Sequence, residues 1–78
     1  MDYNTIEQKV KDFILNELEI AKKHKGDTIM ILNGRAIAFG ALMFATNNLF
    51  PYYNTDLAEW WEKEIWEKFT NLAEGIEE

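Results

Sequence analysis

Asp27-Thr-Ile-Met-Ile-Leu-Asn-Gly-Arg-Ala-Ile-Ala-Phe-Gly40 is the stretch whose reading decides the fold. A β-branched apolar run followed by Asn33-Gly34 is a short-range hairpin signal, with Thr28 to Leu32 and Arg35 to Phe39 as its strands. That reading gives an α+β fold with a hairpin over residues 28–39. The competing reading caps a helix with Asn33 and runs it over residues 34–49, leaving 28–32 as a short strand, an extended connector or an earlier helical turn.

The second reading is preferred for two reasons. A lone two-stranded ribbon is only marginally stable in water. As a helix, moreover, the segment lines up Gly34, Ala38, Ala41, Ala45 and Asn48 as a strip of small side chains that lets another helix approach closely. Its other faces carry Ile37, Phe39, Leu42, Met43, Phe44 and Leu49, so it is apolar nearly all round and needs cover on several sides. A homodimer is therefore expected through this region, with Ile29, Ile31, Phe39 and Met43 at its interface.

Outward from this stretch lie two plainer helices. Asn4-Thr-Ile-Glu7 reads as a capping box. Ile6, Val10, Phe13, Ile14, Leu18 and Ala21 then recur at spacings of three and four, which predicts a helix over about 5–25 that ends at Gly26. Glu17 and His24 project onto its apolar stripe. An unpaired carboxylate on a packed face is costly, so Glu17 is expected to meet Arg35, the single arginine, as a structural ion pair.

Pro51 ends the central helix. Asp56-Leu-Ala-Glu59 reads as a second capping box, and Leu57, Trp61, Ile65, Phe69, Leu72 and Ile76 form the apolar stripe of a helix over 57–74. Glu59–Lys63 and Glu64–Lys68 are spaced as favourable i,i+4 pairs. The expectation is an all-α, three-helix domain formed by residues 1–78 as one unit.

Charge is distributed unevenly. Residues 1–55 carry six acids and six bases, whereas 56–78 carry eight acids and two lysines, so the net charge of −6 resides entirely in the C-terminal segment. Such a field repels phosphate backbones and favours a basic protein surface as partner, which argues against direct nucleic-acid binding. It also serves solubility. The absence of cysteine excludes disulfides and thiolate metal sites and fits a reducing cytoplasm. Thr28 to Phe50 is long enough to span a membrane, but an arginine near a span's centre costs about 2.5–3.5 kcal/mol against about 0.3–0.6 returned per Leu, Ile or Phe. No membrane span is expected.

The single histidine has no second nitrogen or sulfur donor, and no nucleophile elbow or phosphate-binding glycine loop is present. Neither a cofactor, a metal nor catalysis is expected. Projected as a continuous α-helix, Trp61 points to the core, while Trp60 falls outward among Lys63, Glu64 and Glu67, and Trp66 lies on the opposite flank. Trp60, Lys63, Glu64, Glu67 and Trp66 are the candidate partner-binding residues, because desolvated aromatics dominate interface energetics and acids steer a basic partner.

The expected function is a small acidic protein-interaction module that binds a basic surface on a larger protein and inhibits it. In size and charge the chain resembles the small inhibitors carried by phages and mobile elements, including anti-restriction and anti-CRISPR proteins. That likeness is one of composition and covers no motif. The alternative is a structural or assembly subunit that forms a homodimer or part of a larger complex.

Overall fold

In the computed structural model, which describes residues 2–75, the decisive stretch is helical from its beginning. Helix α1 spans Tyr3–Lys22 and α2 spans Thr28–Asn48. The third limb consists of α3, Thr55–Trp60, a π-helical turn, Trp61–Ile65, and α4, Trp66–Glu74. The hairpin alternative is overturned, and no strand occurs among the described residues. The predicted all-α, three-helix architecture holds.

The helix starts differ from expectation by a few residues, each because a different side chain reaches the free backbone N–H groups. Asp2, not Asn4, caps α1, accepting from the Asn4 N–H at 2.9 Å. Asp27 caps α2 in place of Asn33, accepting from the Met30 N–H at 3.2 Å. Residues 28–32 are thus the first turns of the central helix. Asn54 caps α3 in place of Asp56, accepting from the Leu57 N–H at 2.9 Å. Each is the Asp or Asn cap that an α-helix start favours.

The limbs run up, down and up. At one end the α1–α2 turn meets the end of α4, where the Gly26 N–H donates to the Leu72 carbonyl at 3.0 Å and the Thr28 hydroxyl to the Ala73 carbonyl at 2.9 Å. Gly26 has φ +87°, a left-handed turn position that suits glycine. At the other end Tyr3 stacks near Phe50, and the Asn54 side-chain amide donates to Glu7 at 2.8 Å. Glu7 therefore ties two limbs together rather than closing a capping box. Between these ends Ile14 and Leu18 of α1, Ile31, Ala38 and Leu42 of α2, and Leu57, Trp61, Ile65 and Phe69 of the third limb form one buried core.

The third limb buries Leu57, Trp61, Ile65, Phe69 and Ala73, at an unbroken spacing of four. On an α-helix of 3.6 residues per turn such a stripe drifts by about 40° per step and would leave the core face within three steps. The π turn closes that gap: the Trp66 N–H bonds back to the Trp61 carbonyl, five residues earlier, so the stripe stays inward. Ile76, the last member of the predicted stripe, lies outside the described residues.

Candidate functional site

The π turn also decides where Trp66 goes. It changes the winding between residues 61 and 65, so Trp66 does not sit where a continuous α-helix would place it, whereas Trp60 precedes the turn. Trp60 does not face outward among acids. It is half-buried, packs against the core, and has the Lys11 ammonium of α1 at 5.3 Å from its ring centroid. Trp61 is buried in the core.

Trp66 is the exposed tryptophan, with 44% of its surface accessible. The Arg35 guanidinium lies 4.0 Å from its ring centroid and donates a hydrogen bond to the Thr70 hydroxyl at 3.2 Å. The predicted Glu17–Arg35 ion pair is thereby overturned: Arg35 faces the third limb, whereas half-buried Glu17 lies beside His24, Asn33 and Gly34 in a small cleft between α1 and α2. A flat guanidinium gains from stacking on an indole while its N–H groups still donate in the plane.

Phe39 of α2 completes an aromatic cluster, with its ring 5.6 Å from that of Trp61, which in turn lies 6.2 Å from Trp66. Phe39, Trp61 and Trp66 line an open cleft of about 410 Å³, and Glu62 forms its remaining wall. Apolar walls with one carboxylate suit the methylene stem and charged head of a lysine or arginine.

The remaining candidates are dispersed. Lys63, Glu64 and Glu67 are exposed, and Lys63 lies 3.8 Å from Glu59. No ion pair joins Glu64 to Lys68 among the described residues, although the Glu59–Lys63 pair of the same spacing forms. Ile31 is 1% exposed and belongs to the core, so it is withdrawn from the predicted dimer interface. Ile29 is 84% exposed, Phe39 is exposed at the cleft, and Met43 is half-buried. Among the described residues no cluster of three His, Asp or Glu side chains is arranged to hold a metal ion.

Two features of this surface escaped sequence reasoning. Arg35 and Trp66 lie far apart in the chain, and neither carries a local signal of the other. The π turn, by contrast, is announced by the spacing of four in Leu57, Trp61, Ile65 and Phe69. No protein-family model, curated protein or solved structure matches the chain.

Proposed function

We propose that this chain is a non-catalytic protein-interaction module that engages a basic surface of a larger protein through the cleft formed by Phe39, Trp61, Glu62 and Trp66. The observation that carries the reading is the pairing of aromatic walls with an acidic residue in one open cleft. A cation over an aromatic face is attracted by the ring quadrupole, and a neighbouring carboxylate adds charge pairing. Exposed Glu59, Glu64 and Glu67 on the same limb steer such a partner toward it. Where the basic surface normally holds nucleic acid, these carboxylates take positions that phosphates would occupy. Binding there inhibits the partner, the mode expected of a phage-type inhibitor acting in the cytoplasm.

The experiment is an NMR titration with an arginine-rich peptide. The Trp66 indole N–H resonance is expected to shift, and the affinity to fall steeply with salt. Trp66→Ala and Glu62→Gln should each weaken binding at least tenfold, with the amide spectrum otherwise folded. Unchanged affinity in both variants sinks the assignment.

The alternative, an assembly subunit, draws on a different observation. Seven large apolar side chains of the α2 region, from Ile29 to Leu49, are each at least 37% exposed.

A further inference from the structure

Gly40 sits at the middle of α2, on its solvent face, and a Cβ added there would meet nothing within 4 Å. Its φ is not positive, so the backbone does not require glycine either. Mid-helix glycine is about 1 kcal/mol worse than alanine, a cost for which the single chain gives no packing return. Ala36 lies one turn away on the same exposed face, with exposed Ile29, Asn33 and Asn47 and half-buried Met43 above and below. Small residues at the centre of an exposed apolar helix permit another helix backbone to approach closely.

We propose that α2 pairs with α2 of a second copy of this chain, antiparallel across a two-fold axis at the level of Ala38. That register sets Ala36 against Gly40, Asn33 against Met43 and Ile29 against Asn47, so one strip is complementary to itself. Large side chains flank the axis and small ones occupy it.

Charge does not oppose this arrangement. No Asp or Glu occurs between Asp27 and Asp56, so the net charge of −6 does not oppose contact along α2.

Area sets the expected strength. Helix α2 has 21 residues, hence a length of about 31 Å, and its exposed half offers roughly 500–600 Å² per copy. The total of about 1,000–1,200 Å² is at the threshold for a specific interface, so a reversible dimer is expected. A lipid surface is the other apolar occupant for a helix of this hydropathy, since α2 is long and apolar enough to cross a membrane and only 22% of its most apolar window is buried. Lipid gains nothing from a glycine at the centre of the strip, whereas a helix does.

The inference does not rest on the proposed cleft, although Phe39 borders both surfaces, and it is tested separately by sedimentation equilibrium of the full chain from about 1 to 300 μM, a range that brackets a micromolar constant. The wild type is expected to pass from monomer to dimer. Gly40→Gln should remain monomeric throughout, with unchanged helical circular dichroism and an equal or higher thermal midpoint at low concentration. As a second measurement, the chain contains no cysteine, so Ile29→Cys mixed with Asn47→Cys should oxidise to a cross-linked heterodimer in preference to either homodimer. A monomeric wild type at 300 μM overturns the proposal, as does a Gly40→Gln protein that dimerises like the wild type. Preferential Ile29→Cys homodimers overturn the antiparallel register. Co-flotation of a monomeric wild type with phosphatidylcholine vesicles overturns it in favour of lipid.

Discussion

The central and C-terminal limbs are nearly equal in length but solve the burial problem in opposite ways. The C-terminal limb sorts its side chains: Leu57, Trp61, Ile65 and Phe69 are all at most 3% exposed, while Glu59, Glu62, Glu64 and Glu67 face water. In α2 the sorting fails, because Ile31, Ala38 and Leu42 are buried but Ile29, Ile37 and Phe44 remain 84%, 45% and 59% exposed. A three-helix bundle gives its central helix two neighbours, which cover only part of the circumference of a helix that is apolar on every side. Burial inside the bundle therefore accounts for the sequence of the C-terminal limb and for about half of α2.

The largest effect should separate two phenylalanines. Phe69→Ala removes a fully buried ring and should cost about 3–5 kcal/mol, enough to unfold much of a domain this small. Phe44→Ala removes a ring that is 59% exposed and should cost well under half as much in urea denaturation at low protein concentration. Similar costs at the two sites would mean that α2 packs in solution more deeply than its exposure indicates.

A smaller effect concerns how the limbs are joined. Asn54 is 6% exposed, caps α3, and donates its amide to Glu7. Asn54→Ala should cost about 1–2 kcal/mol by losing the cap, and leaving Glu7 without its donor adds to that. Glu7→Gln keeps a carbonyl acceptor and should cost less, a difference visible as separate urea midpoints.

Much of this contrast was legible in the sequence. The apolar periodicity of residues 6–21 and 57–72 fixed two helices, because side chains recurring at three and four residues can share a buried face only on a helix. Residues 28–33 were harder to read, since Ile29 and Ile31 suit strand and helix alike and Asp27 and Asn33 are both good caps. Tertiary packing chose Asp27, because starting there buries Ile31. The site was less legible than the fold. The projection of Trp66 on a continuous α-helix fails because the π turn at 61–65 intervenes, whereas Trp60 precedes that turn and its packing beside Lys11 of α1 is a tertiary contact without a local signal. The stacking of Arg35 on Trp66 depends on how two limbs meet, and no local pattern encodes that.

The smallest effect is the sharpest test of why the C-terminal limb sorts its residues. If the π turn exists to hold a stripe of spacing four against the core, then removing one of its exposed residues should convert it to ordinary α-helix without moving either flank. Deleting Lys63, which is 73% exposed at its side chain, changes the spacing between Trp61 and Ile65 from four to three, a step that an α-helix accommodates on the same face. This deletion should preserve the helical circular dichroism and shift stability by no more than about 1 kcal/mol, because the strained turn is lost together with one ion pair of little worth. Deleting Lys68 instead falls outside the π turn and rotates Phe69, Leu72 and Ala73 by about 100° relative to Ile65, taking them off the core. It should abolish cooperative unfolding. If the two deletions prove equally damaging, the π turn is not a register correction, and the inward stripe of the C-terminal limb must be held by its contacts with α2.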